Sequence, residues 1–121
     1  MHSWNDNAPI YQQLADRLAS QLLDGNPPEG EALPSVRQVA AEYQLNPITV
    51  SRAYQELADE QLVEKRRGLG MYVTEGATKR LRSSERERFL NEEWPQIQER
   101  IQRLGLTVDE LLDPKRKWGP K

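Results

Sequence analysis

Residues 33–57, LPSVRQVAAEYQLNPITVSRAYQEL, constrain the fold most, because they contain two helix start signals a short distance apart. Ser35 can cap a helix through its hydroxyl, and Gln38 three residues later completes a capping box. Asn46 is a favoured N-cap, and Pro47 suits the next position because its missing N–H would have no intrahelical partner there. The segment therefore predicts two short helices joined by a tight turn, which is a helix-turn-helix.

Each of these two predicted helices has one apolar face with the spacing i, i+3, i+4, i+7. The faces consist of Val36, Val39, Ala40 and Tyr43 in the first helix and of Val50, Ala53, Tyr54 and Leu57 in the second. Thr49, Ser51 and Arg52 are left on other faces of the second helix. Small polar groups near a helix start can approach phosphates and base edges. We therefore expect the second helix to enter the DNA major groove.

A candidate β-hairpin, QLVEKRRGLGMYV, follows the two helices. Its predicted strands are residues 62–65 and 71–73, and its turn, residues 66–70, is basic and rich in glycine. Residues 9–23 predict a preceding amphipathic helix that Gly25 ends. The expected fold is mainly α with a small β-hairpin, a winged helix-turn-helix domain at residues 1–76.

We expect the rest of the chain, residues 77–121, to form a linker followed by a short helical dimerisation tail. Its apolar residues are spaced 4, 3, 4, 3, as in two heptads: Leu90, Trp94, Ile97, Ile101 and Leu104, with Phe89 beside them. Pro95 should kink this helix or start a new one. Thr107 predicts a second capping box and a last short helix. Two heptads are too short for a stable isolated coiled coil, so we favour a homodimer, although the tail could instead fold back on its own domain.

Composition argues against several other classes of protein. Cysteine is absent, and the single histidine, His2, lies at the start of the chain. We therefore expect no catalytic residues, no metal site and no cofactor, and we do not expect an enzyme. No apolar run approaches the length of a membrane span and no signal peptide is visible, which predicts a cytoplasmic protein without a membrane partner. Trp4 and Trp118 fall in predicted tails and receive no role.

The distribution of charge is unusual for a DNA-binding chain. Residues 1–76 contain six Lys and Arg against eleven Asp and Glu, a balance of −5, whereas residues 77–121 have eleven against eight, a balance of +3; together they give the formal net charge of −2. Because charges are screened over about 10 Å at moderate salt, the location of the positive groups matters more than the total. A footprint of about five positive groups predicts moderate non-specific affinity. Specificity would then depend on two symmetry-related protomers.

Four segments in matching order and spacing resemble the bacterial GntR family of transcriptional regulators: PIYQQL at 9–14, LPSVRQVA at 33–40, NPITVSRAYQEL at 46–57 and RRGLGMYV at 66–73. The short tail looks like that of the YtrA-like subfamily, where such a tail serves dimerisation. The resemblance implies a dimeric regulator, a repressor by this reading, that binds a palindromic operator in double-stranded DNA. A small-molecule effector is compatible with it.

The resemblance also assigns roles to individual residues. It implies a phosphate contact for Ser35, a guanine contact for Arg37 and minor-groove contacts at the wing tip. The predicted DNA-binding set is Ser35, Arg37, Asn46, Thr49, Ser51, Arg52, Arg66, Arg67 and Gly68. Gln61 departs from the family pattern, which more often has glycine there.

Less specific interpretations stand beside these roles. Ser35 could act only as a helix cap, Arg37 could be a solvated surface residue, and Arg52 could pair with Glu56 four residues later. Lys65 and Arg66 could merely keep a hairpin edge soluble. The alternative function is a winged helix that binds another protein and no specific DNA.

Overall fold

The structure is a computed structural model that describes residues 3–115; His2 and Trp118 lie outside the described residues. The helices are α1 (Ile10–Leu23), α2 (Val36–Tyr43), α3 (Pro47–Asp59), α4 (Ala77–Arg88), α5 (Trp94–Arg103) and α6 (Val108–Leu111), with a π turn at Phe89–Glu93 before α5. The strands are β1 (Val63–Arg66) and β2 (Gly70–Val73). The chain divides into a first unit, residues 1–83, and a second unit, residues 84–121.

The core of the first unit forms because α1, α2 and α3 each turn an apolar stripe inward. The predicted stripes of α2 and α3 are buried except for Val36, which is half-buried. In α1 the buried residues are Leu14, Ala15, Leu18 and Leu22. Both predicted start signals are present: the capping box at Ser35 is complete, and the Asn46 side chain accepts a hydrogen bond from the Ile48 N–H. The predicted helix-turn-helix is confirmed.

The predicted hairpin is also present, as an antiparallel pair in which Val63 lies opposite Val73 and Arg66 lies opposite Gly70. Ala32 adds a single β-bridge to Tyr72. The chain reaches β1 through Gln61, which adopts the left-handed conformation at φ 63°. The prediction of a mainly helical winged helix-turn-helix with a small hairpin is therefore confirmed.

Two features of the first unit differ from the sequence-based expectations. Trp4, which received no role, is half-buried and packs on Tyr43 with ring centroids 6.0 Å apart. The linker predicted at the start of residues 77–121 is helical from Ala77 onward. Ala77 and Leu81 lie one turn apart on this helix, and both side chains are buried in the core. The Glu29 carboxylate stabilises the start of α4 by accepting hydrogen bonds from the backbone N–H groups of Gly76, at 2.7 Å, and Thr78, at 3.2 Å.

The second unit contains helices with no buried residue in the π turn, α5 or α6. Pro95 occupies the first turn of α5. This agrees with the predicted alternative in which Pro95 starts a new helix. The π turn brings Phe89 and Trp94 together with ring centroids 6.2 Å apart, although five positions separate them. Thr107 caps α6 by accepting a hydrogen bond from the Glu110 N–H at 3.1 Å. Among the described residues, no helix has the length and apolar character needed to cross a bilayer.

Candidate DNA interface

The start of α2 is fixed by hydrogen bonds on both sides. The Ser35 hydroxyl accepts from the Gln38 N–H at 3.1 Å, and the Gln38 side chain accepts from the Ser35 N–H at 2.9 Å. The Tyr54 hydroxyl of α3 donates to the Pro34 carbonyl at 2.5 Å. Burial raises the pKa of Tyr54, so this hydroxyl keeps its proton and remains a donor. The Ser35 O–H is still available as a donor to an anion at the helix N-terminus.

Arg37 lies in the first turn of α2 and is exposed. In the part of the chain that the structure describes, its guanidinium has no hydrogen bond or ion pair. A guanidinium without an internal partner keeps its planar fork of N–H donors for a ligand such as a guanine edge or a phosphate. The position therefore fits either of the two contacts that the sequence suggests.

The outer face of α3 lies opposite its buried stripe and contains Ile48, Ser51, Arg52 and Gln55, all of which are exposed. Thr49 is half-buried at the edge of this face. Asn46 caps the helix with its side-chain oxygen 2.9 Å from the Ile48 nitrogen. The cap uses the Asn46 oxygen and leaves its amide N–H groups as donors.

Arg52 has an unexpected partner. Its guanidinium carbon lies 4.2 Å from the ring centroid of Tyr11 on α1, a cation–π geometry. The ion pair with Glu56 that the sequence allows is not among the ion pairs of residues 3–115. Stacking leaves the edge N–H groups of the guanidinium able to donate to a phosphate, while it limits the conformations of the side chain.

A groove of about 420 Å³ runs between the start of α2, the outer face of α3 and the hairpin. Its lining includes Ser35 and Ser51 from the predicted set. Gln55, Lys65 and Leu69 also line it, and none of them was in that set. The groove thus joins the helix-turn-helix and the wing into one concave surface.

The two faces of the hairpin separate the basic residues of the wing. Alternate residues of a strand point to opposite faces, so Lys65 shares a face with the buried Val63, and Lys65 lines the groove. Arg66 lies on the other face, where it stacks on Tyr72 at 4.2 Å and contacts Glu64 at 3.5 Å. The structure therefore brings Lys65, and not Arg66, together with Ser35 and Ser51.

The tip of the wing is a turn closed by the Leu69 N–H, which donates to the Arg66 carbonyl at 2.8 Å. Arg67 is exposed in this turn, and Gly68 has φ 77°, which glycine adopts without strain. Leu69 is 67% exposed. Arg67 and Gly68 are thus presented at the tip as predicted.

The sequence carried signals for some of the residues that were missed. Strand alternation could have separated Lys65 from Arg66, and helical spacing places Gln55 four residues beyond Ser51. Nothing in the sequence pairs Tyr11 with Arg52, because they belong to helices that meet only in the folded domain.

Known proteins support this architecture. The model of the bacterial regulatory proteins of the gntR family matches residues 10–73. The chain belongs to the GntR family. It is 31% identical over 112 residues to the uncharacterised HTH-type transcriptional regulator YhcF of Bacillus subtilis, a match that covers 93% of this chain and 91% of YhcF. The HTH-type transcriptional repressor YtrA of the same organism is 42% identical over 71 residues, which cover 59% of this chain and 55% of YtrA.

A solved structure matches most of the chain as well. The crystal structure of a transcriptional regulator from Oenococcus oeni has a TM-score of 0.72 at 27% identity, over 91% of this chain and 90% of that one. Membership of the GntR family confirms two predictions: that the chain is a DNA-binding transcriptional regulator, and that it is not an enzyme.

Proposed function

We propose that this GntR-family chain binds a palindromic operator as a homodimer and represses transcription from it. The observation that carries the proposal is the groove shared by α2, α3 and the wing, because it places a helix of the kind that enters the major groove directly beside a hairpin. Each protomer would place α3 in the major groove of one half-site and the wing tip over the neighbouring minor groove. The site of action would be the cytoplasm, where bacterial operators lie.

The contacts divide by chemistry into those that position the protein and those that read bases. The positioning contacts to phosphates would come from Ser35, Asn46, Thr49, Ser51 and Arg52. Arg37 would read a guanine edge through two parallel hydrogen bonds, since its guanidinium is exposed and has no internal partner among the described residues. Arg67 and Gly68 would approach the minor groove. We assign Lys65 rather than Arg66 to the groove side of the wing.

The two-fold symmetry of the proposed dimer would raise its affinity for the operator above the level that the basic residues of one protomer provide. Residues 1–76 contain only six Lys and Arg, which limits the number of phosphates that one protomer neutralises. Linking two half-sites makes the second contact effectively intramolecular, which multiplies affinity without any new contact. A dimer is therefore the economical way for this acidic domain to bind an operator tightly.

The proposed dimer surface is the apolar seam of the second unit. Its members are Phe89, Leu90, Trp94, Ile97, Ile101 and Leu104. Leu104 is 65% exposed and Leu90 49% exposed, and α5 buries no residue within its own unit. Covering apolar area of this kind contributes about 25 cal/mol per Å². A second copy with the same seam would cover it by self-complementary packing.

Selection of bound fragments from genomic DNA, followed by titration on the selected operator, tests the proposal. Arg37→Ala should abolish discrimination at one base pair per half-site, at a cost of about 1–3 kcal/mol. Arg37→Lys is the matched control, because lysine keeps the charge and loses the planar fork. If Arg37→Lys binds every singly substituted operator as the wild type does, Arg37 contacts a phosphate. If no fragment is bound above non-specific levels, the proposed function is wrong.

A further inference from the structure

The outer face of α3 carries an aliphatic side chain at the place where a DNA-reading helix usually has a polar one. Ile48 is 72% exposed in the first turn of the helix. Among the described residues up to Ser83, only Leu69 at the wing tip approaches this exposure for a large apolar side chain, at 67%. Both side chains therefore lie on the proposed DNA-binding surface rather than being scattered over the domain.

Helical geometry places Ile48 on the same side of α3 as two residues that line the groove. Each residue of an α-helix advances by about 100°, so Ile48 lies on the side of α3 opposite the fully buried Leu57. Ser51 and Gln55 follow at i+3 and i+7 on the same side, and both line the groove. The Ile48 side chain therefore projects directly away from the core, at the end of α3 that is next to the helix-turn-helix turn.

The chemistry of the major groove leaves few partners for such a side chain. Guanine, cytosine and adenine present hydrogen-bond donors and acceptors there, and thymine adds its 5-methyl group. An aliphatic side chain pressed against a polar edge would desolvate it without returning a hydrogen bond. A β-branched residue in a helix has essentially one χ1 rotamer, so Ile48 would lose little conformational freedom on contact with a methyl group.

We propose that Ile48 reads the 5-methyl group of a thymine in each half-site and so determines specificity at a T·A base pair. This inference rests on the proposed function, in which α3 lies in the major groove. Burial of one methyl group against an aliphatic side chain corresponds to about a fourfold change in affinity per half-site. The contact would leave the phosphate contacts of the interface unchanged.

Replacement of single thymines by deoxyuracil in the selected operator tests the contact, because it removes only the methyl group and keeps the base pair. The full-length wild-type chain should lose about fourfold in affinity at one thymine per half-site. Ile48→Ala removes the contact in both half-sites, so it should bind the unmodified operator about as the wild type binds an operator with uracil in both half-sites. The variant should not respond to uracil at either position. Leu69→Ala is the matched control, because it truncates the other exposed aliphatic side chain of the surface and should retain the methyl-sensitive position.

Ile48→Ala should fold, because the site is exposed and alanine is the better helix former; thermal unfolding checks this. If wild type and Ile48→Ala give the same uracil profile, or if no thymine methyl matters to the wild type, the inference is wrong even though operator binding stands. If no operator is bound at all, the proposed function is wrong and the inference that rests on it is overturned with it. The two failures are therefore distinguishable.

Discussion

Gln61→Gly should stabilise the domain, because Gln61 adopts φ 63° between α3 and β1. A non-glycine residue in the left-handed region costs about 1–2 kcal/mol. Glycine removes that cost but adds about 0.4–1 kcal/mol of conformational entropy to the unfolded chain. The hydrogen bonds that the Gln61 carbonyl accepts from Thr74 and Arg80 involve only backbone oxygen and are retained. The expected net gain is about 0.5–1 kcal/mol, or a Tm higher by roughly 2–8 °C.

The same substitution at two other glutamines provides matched controls, followed by thermal unfolding at one fixed protein concentration. Gln44 has φ 55° as the C-cap of α2, so Gln44→Gly should also stabilise. Gln12 is exposed inside α1, where glycine should destabilise by about 1 kcal/mol. If Gln61→Gly lowers Tm as Gln12→Gly does, backbone conformation does not determine the effect and the reasoning is wrong.

Three further predictions concern the wing, the tail and the response to pH. Lys65→Ala should reduce the slope of log K against log salt by about 0.9 per lost phosphate contact, and Arg66→Ala should reduce it less; equal effects would contradict the assignment of hairpin faces. Ile97→Glu combined with Ile101→Glu should give a monomer by sedimentation, and a persistent dimer would place the interface elsewhere. The backbone N–H groups at the start of α4 lower the pKa of Glu29 below 4.5, so its contribution to stability is present above that pH and is lost as the pH falls through the lowered pKa. Glu29→Gln should therefore show a flatter decline of Tm in acid than the wild type.

Features that depend on neighbouring residues could be predicted from the sequence. The caps at Ser35 and Asn46 are hydrogen bonds within three residues, so the sequence contains both partners of each. The buried stripes of α2 and α3 follow from helical periodicity alone. Much of the candidate site lies on these two helices, and its order along the chain could therefore be predicted.

Features that depend on distant residues could not be predicted in this way. Tyr11 meets Arg52 only when α1 packs on α3, and Trp4 meets Tyr43 only when the N-terminal segment lies against α2. The start of α4 has Glu29 as its cap, nearly fifty positions earlier in the chain. When the contact with Glu29 is not known, the composition of residues 77–84 predicts a linker. The physical reason is the same in each example: one contact partner is fixed by tertiary packing.

The π turn at Phe89–Glu93 has an evolutionary consequence. A π turn holds one more residue than an α turn, so the chain advances by one extra residue over about the same rotation. Loss of Asn91 would therefore restore an α turn with little change in the faces on either side, but it would place Pro95 inside a continuous α-helix, where its ring clashes with the preceding turn. A change of length here would need a second change at Pro95 to be tolerated. The extra residue of the π turn and Pro95 should therefore be retained or lost together.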